Sequence, residues 1–257
     1  MQQLSSRVHR AIRTSLFVVA AMAPAVMRGQ TLPAAKDLIA KYVAATGAES
    51  WKAHKSSRMK ATMDMPAAGI SANMEILHIY PNIIFTKVDI PGMGSMTSGF
   101  DGTSAWSVNP MTGPRVAEGA ELEAMRQEAD PAASYTRTSP DIASSETVEK
   151  TTMGGQECYK VKHTWKSGRV SYDCFSVADG LLVATQTKQQ SPMGEIEVVA
   201  TLSGYKDFGG MKRPTSMTQE MMGQQQVITI SSWEWDNVDA KEMEIPEQIK
   251  AMLAKKP

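Results

Sequence analysis

The stretch Pro91–Pro114 reads PGMGSMTSGFDGTSAWSVNPMTGP, with Gly and Pro clusters bracketing two short runs, Met96–Phe100 and Ala105–Val108, around a central Asp101-Gly102. Asp-Gly between strand-like runs favours a type I′ turn, whose left-handed positions Gly tolerates and whose twist suits antiparallel pairing. The spacing predicts a tight hairpin. The segment supplies shape and offers no catalytic group.

The same period of two extends outward on both sides. In Met59–Met65 the apolar residues hold odd positions and the polar ones even positions, as a half-buried strand requires. After a turn over Pro66–Gly69, Ile70, Ala72, Met74 and Ile76 share one face, and Ile83–Ile90 follows as a more uniformly apolar run. Further strands are expected at Thr147–Thr152, Gln156–Trp165, Arg169–Val177, Leu181–Gln189, Glu195–Tyr205, Thr215–Met222 and Gln226–Val238, separated by Gly- and Pro-containing turns. Helices are expected at Ala34–Thr46, where Leu38, Ile39, Tyr42 and Val43 make one stripe stopped by Gly47, around Glu49–His54, and at Gly119–Asp130. The polar stretch Pro131–Ser145 is expected to be a mobile excursion. About ten or eleven antiparallel strands with short turns and no β-α-β alternation argue for one large curved sheet, a half-open antiparallel barrel of mainly β, α+β class.

Arg7, His9, Arg10 and Arg13 precede an uncharged apolar stretch, Thr14–Met27, the pattern of a secretory signal peptide. Cleavage fits both Ala23-Pro24-Ala25 and the region of Gly29 and Gln30. The run falls short of the roughly 20 residues that span a bilayer, and no Cys follows it to carry a lipid. The expected organisation is a leader over residues 1–30 and a single domain over 31–257, exported to the periplasm. Residues 1–30 hold four Arg and no acid, so the remainder has 23 basic and 27 acidic residues, net −4. No basic face with interleaved aromatics appears, which sets nucleic acid aside.

Cys158 and Cys174 are the two cysteines, on strands joined by Lys166-Ser167-Gly168. Hairpin pairing about that turn places Cys158 opposite Ser176, two residues from Cys174. A bridge needs Cα atoms roughly 5 to 6 Å apart, so a disulfide and two buried thiols both remain open. No H-E-x-x-H occurs, the four His are scattered, and no G-x-S-x-G elbow is present. No catalytic residue, metal or cofactor is expected.

One feature of the composition stands out, 19 Met against 5 Phe. Met is unbranched and polarizable, so it lines surfaces that adapt to variable apolar guests, of which a lipid tail is one; the plainer alternative is that it fills an irregular core. Copper held by thioethers ranks low, because no Met cluster with His occupies a loop. Met59, Met63, Met65, Met74, Ile76 and Ile90 on the expected core faces are candidates to line a ligand cavity. Met93, Met96, Phe100 and Trp106 from the hairpin and Leu122 and Met125 from the crossing helix complete the set, with Trp233 and Trp235 beside Trp106 at the mouth.

Leu38-Ile39-Ala40-Lys41-Tyr42-Val43 with Gly47, then PGMGSMTSGFDGTSAW, NPMTGP and the closing Ile245-Pro246-Glu247-Gln248-Ile249 resemble the exported LolA-like proteins, the outer-membrane lipoprotein-sorting family. The resemblance covers nearly the whole mature chain and is most specific at GFDGTSAW. It implies a half-open antiparallel barrel whose concave apolar face is covered by helices. It also implies a periplasmic carrier or chaperone that takes up lipids or lipoprotein acyl chains, with membrane-bound donor and acceptor proteins as partners. A sensor or interaction module of the same fold, binding a lipidated protein or peptide without transporting it, is the alternative.

Overall fold

The computed structural model describes residues 31–191, 194–221 and 223–255. The expected leader, residues 1–30, lies outside them. Residues Leu32–Pro257 form one compact unit.

Helix α1 (Ala35–Thr46) buries Ala35, Leu38, Ile39 and Tyr42, the stripe its 3.6-residue period sets out. It stops at Gly47, whose φ of 64° is left-handed and whose N–H caps the Val43 carbonyl. A side chain at Gly47 would collide with the carbonyl of Gly210, so this glycine also lets a distant turn approach. A 3₁₀ segment, Ala48–Ala53, carries Trp51 and leads into the sheet.

Six strands then run as a meander: β1 (Ser56–Met65), β2 (Ile70–Ile79), β3 (Ile83–Ile90), β4 (Gly94–Phe100), β5 (Ala105–Asn109) and β6 (Gly113–Val116). Helix α2 (Gly119–Ala129) and a π-helical turn, Ala132–Thr136, cross to the other side. There β7 (Ile142–Met153), β8 (Gln156–Trp165), β9 (Val170–Ser176), β10 (Leu182–Ser191) and β11 (Gly194–Ser203) follow. A small ribbon, β12 (Lys206–Asp207) with β13 (Lys212–Arg213), precedes β14 (Ser216–Met221), β15 (Gln224–Trp235) and the closing helix α3 (Glu247–Leu253). The main sheet has thirteen strands in the order β6-β5-β4-β3-β2-β1-β15-β14-β11-β10-β9-β8-β7 among the described residues, and its edges β6 and β7 do not pair. Every neighbouring pair is antiparallel. The fold class expected from the sequence is the one observed.

Among the described residues the main sheet has thirteen strands where about ten or eleven are expected from the sequence, and three further details differ. Pro91–Pro114 yields three strands, β4, β5 and β6, because the Asn109 side chain accepts from the Met111 N–H at 2.8 Å and turns the chain again. The β4–β5 turn holds four residues, Asp101–Ser104, between the paired Phe100 and Ala105, and is not the two-residue type I′ form. Asp101 Oδ1 accepts from the N–H groups of Thr103 at 2.8 Å and Ser104 at 2.7 Å, so the carboxylate organises the turn. The third difference is Pro131–Ser145, a packed strap rather than a mobile excursion, with Ala133, Tyr135, Thr136 and Ser139 buried. Topology requires this: with β1–β6 ending at one edge and β7 starting at the other, the connection crosses the face of the sheet.

Candidate functional site

Strand alternation sends Met59, Ala61, Met63 and Met65 of β1 to the concave face, and antiparallel register aligns them with partners in rows. One row joins Met96, Val88, Met74, Ala61 and Ile230 across β4, β3, β2, β1 and β15. The row below joins Ala72, Met63, Ile228, Met217 and Leu202. A third, above, joins Ile76, Met59 and Trp233. The resulting cluster has a buried floor of Met59, Ala61, Met63, Ala72, Ile90, Ile228 and Ile230, while Met65, Ile70, Met74, Ile76, Val88 and Met217 are half-buried. Every one of these residues comes from a strand, so no helix belongs to this cluster.

The proposed lining residues therefore separate. Met59, Met63 and Ile90 form the floor, and Met65, Met74 and Ile76 lie half-open above it. Met93 and Met96 are exposed, at 46% and 37%. Phe100, Leu122 and Met125 belong to a neighbouring cluster in which α2 covers Ile84, Phe100 and Ala105. Trp106 is a correction. It pairs with Gly99, one step from the Phe100–Ala105 pair, so alternation puts it on the opposite face, against Phe85 at 5.9 Å. Its ring lies over Gly99, where a side chain would come within 2.9 Å of it. Sequence reasoning did not propose Val88, Met217, Ile228 or Ile230; the alternation in Val227-Ile228-Thr229-Ile230 carries the signal for the last two.

The other half of the face is closed by α1. Leu38, Ile39 and Tyr42 pack on Val161, Phe175, Leu182 and Leu202, with the Tyr42 and Phe175 rings 5.5 Å apart. Beside this cluster a charged network is buried. Arg137 donates to both carboxylate oxygens of Asp173 at 2.6 Å, and His163 Nε2 lies 3.0 Å from the same carboxylate. Burial alone would raise the Asp173 carboxyl, yet Arg137 and His163 outweigh it and hold it below the usual range. Arg137 has a left-handed φ of 58°, a strained state for a residue with a side chain, which this two-pronged pair secures. The pair pins the strap to β9.

His163 Nδ1 also lies 2.8 Å from Ser145 Oγ, which completes a Ser-His-Asp order. Ser145 and Arg137 line a groove of about 610 Å³ between α1 and β7, together with Ile39, Ala40, Val43 and Ile142. A catalytic imidazole must hand its proton to a leaving group. His163 is only 1% exposed and Asp173 is committed to Arg137, so the chain serves as a structural clamp. Among the described residues no three His, Cys, Asp or Glu side chains come together to hold a metal. Among the same residues, no helix is long and apolar enough to cross a membrane.

Between the two halves lies an aromatic cluster. Tyr135, from the strap, sits 6.1 Å from Trp233, 6.2 Å from Tyr80 and 6.4 Å from both Trp51 and Trp235. Tyr80 and Tyr135 share a hydroxyl hydrogen bond of 2.9 Å, and Tyr80 donates to Ser57 at 2.9 Å. Trp235 Nε1 donates to the Phe208 carbonyl at 2.7 Å, which fixes the β12–β13 ribbon over the cluster. From that ribbon the Arg213 guanidinium lies over Tyr135 at 4.9 Å and Trp233 at 5.0 Å. Burial, then the nearby Arg213 charge, lower the pKa of His78 to about 4, against a weaker opposing hydrogen bond that the ring donates to the Glu128 backbone carbonyl.

On the convex face Cys158 and Cys174 form a disulfide with Cα atoms 5.5 Å apart, packed with Val183 and Ala184. The register is the one expected, Cys158 opposite Ser176, and the bridge spans the diagonal to the next same-face position.

No protein-family model and no curated protein sequence matches the chain. Among solved structures, a LolA superfamily protein from Nitrosomonas europaea is similar at 13% identity and TM-score 0.55, over 83% of this chain and 99% of that one. A DUF1329 family protein from Desulfovibrio piger, also 13% identical, has TM-score 0.53 over 80% and 97%. A domain described as an outer membrane lipoprotein-sorting protein, from Vibrio parahaemolyticus, is 10% identical with TM-score 0.53 over 85% and 97%. The chain has a LolA-like fold.

Proposed function

We propose that this protein is a non-enzymatic periplasmic carrier or chaperone whose single domain, residues 31–257, holds the acyl chains of lipids or lipoproteins and passes them toward the outer membrane. The observation that carries this reading is the face on which half-buried Met65, Met74 and Val88 lie beside a buried apolar floor, in a cluster with no helix, with exposed Met96 paired to Val88 at its margin. A hydrocarbon chain laid there gains about 0.8 kcal/mol per methylene removed from water. Unbranched thioethers accommodate chains of differing length and saturation. The LolA-like fold supports the same reading, since another protein of this fold is described as lipoprotein-sorting. A cleaved leader over residues 1–30 would deliver the chain to the periplasm, with membrane-bound donor and acceptor proteins on either side of the transfer.

The test is native mass spectrometry of the protein purified from an exporting host, beside a Met74→Lys/Met96→Lys variant. Met74 is half-buried and Met96 exposed, so both lysines are expected to be tolerated by the fold, whereas Met63 lies in the floor and a charge there tests stability instead. The wild type is expected to carry acyl-containing molecules and the variant to lose them. A wild type free of acyl chains above background, or a variant that retains them, refutes the reading.

A further inference from the structure

Arg213 has no acidic partner and no hydrogen-bond acceptor among the described residues; its contacts are the faces of Tyr135 and Trp233. Its Nε is out of contact with water and without an acceptor, and the same is true of Trp233 Nε1 beside it. The hydroxyls of Tyr80 and Tyr135 bond each other, Tyr80 bonds Ser57, and Tyr205 donates to the Leu182 carbonyl. His78, the next titratable group, is held neutral near pH 7 by burial and by Arg213 itself. The locality thus holds one fixed cation and two buried donors, Arg213 Nε and Trp233 Nε1, that have no acceptor among the described residues. Leaving a buried donor without an acceptor costs more than a hydrogen bond returns, so an arriving acceptor gains that difference.

Trp233 joins this cation to the methionine face. It lies opposite Met59 in the row shared with Ile76, and it packs on both the methionine cluster and the aromatic cluster. An apolar face therefore ends at a guanidinium with no acidic partner among the described residues, the two-part chemistry of an anionic amphiphile. We infer that Arg213 anchors an anionic head group, the carboxylate or phosphate oxygens of a molecule whose acyl chain lies along Met74 and Val88. This rests on the acyl-binding reading above and names the ligand class it selects. The planar fork of Arg offers two parallel N–H groups to such oxygens, while Tyr135 and Trp233 hold its plane.

The experiment is titration of the purified protein by calorimetry with four probes: dodecyl phosphate, dodecanoate, the uncharged monododecanoyl glycerol, and inorganic phosphate. The two anionic amphiphiles are expected to bind at least about tenfold more tightly than the uncharged one, the worth of one charge-assisted hydrogen bond. Arg213→Gln is expected to abolish that preference and leave affinity for the uncharged probe unchanged. Equal affinity for charged and uncharged amphiphiles in the wild type overturns the anchor while leaving acyl binding intact. Inorganic phosphate binding as tightly as dodecyl phosphate overturns the amphiphile and points to a free anion. Binding of no amphiphile refutes the acyl reading as well. The wild-type comparison decides the matter even if Arg213→Gln fails to fold.

Discussion

Beneath α1 the concave face presents Val161, Phe175 and Leu182, all buried by Leu38, Ile39 and Tyr42; across β1–β3 the same face presents Met65, Met74 and Val88, in a cluster to which no helix contributes, with exposed Met96 beside it on β4. One half is a finished core with aromatic and branched residues in fixed contact. The other is partly covered, and thioethers run through it from buried Met59 and Met63 to half-buried Met65, Met74 and Met217. Side chains that must interlock are stiff, and side chains that must accommodate are flexible. The contrast separates the part of the sheet that holds the fold from the part available to a guest.

The largest expected effect lies on the closed half. Asp173→Ala leaves Arg137 without its carboxylate and is expected to cost about 3–5 kcal/mol of unfolding free energy, read as a lowered denaturant midpoint. A loss under about 1 kcal/mol would break the claim that the strap is pinned by this pair.

The border between the halves should respond to pH. His78 titrates near 4 in the folded protein against about 6.5 unfolded, so between those values the unfolded chain binds more protons and stability rises with pH. Its contribution is complete above pH 6.5 and is lost as pH falls through about 4, an expected change of about 3 kcal/mol. His78→Gln should flatten that slope. Asp173, whose carboxyl is held low, keeps its own contribution until pH falls below the ordinary carboxylate range, so the two windows are separable.

The smallest stability effect is expected on the open half. Met74→Ala removes a half-buried thioether and should cost about 1 kcal/mol or less by denaturation, yet weaken binding of a fluorescent acyl probe several-fold. If its cost matched that of a core residue, the two halves would not differ in kind.

The alternation in Met59–Met65 and Ile70–Ile76 is strong enough to identify the concave face from residue order alone, because one side of those strands faces apolar partners and the other faces water. Trp106 defeats the same logic. β5 is five residues long and begins Ala105-Trp106, both buried, so periodicity cannot say which of the two faces inward. The Pro131–Ser145 strap was illegible for another reason: its burial comes from joining two sheet edges, and its polar residues are matched by partners as remote as Asp173, 36 positions from Arg137. A charged residue within Val170–Ser176, a strand otherwise of buried and half-buried residues, was the available hint. Arg213 carried no signal in Met211-Lys212-Arg213-Pro214, since its role depends on rings supplied from the strap and from β15.

The strand order places β15 beside β1, pairing Ser57 with Trp235, while the first meander grows away from that seam to one edge and the second returns to it from the other. The last strand among the described residues is accordingly the keystone and not a margin. Without it the sheet is two separate ribbons joined by the strap, and clipping off β15 would split the sheet through its middle and remove Ile228 and Ile230 from the methionine floor.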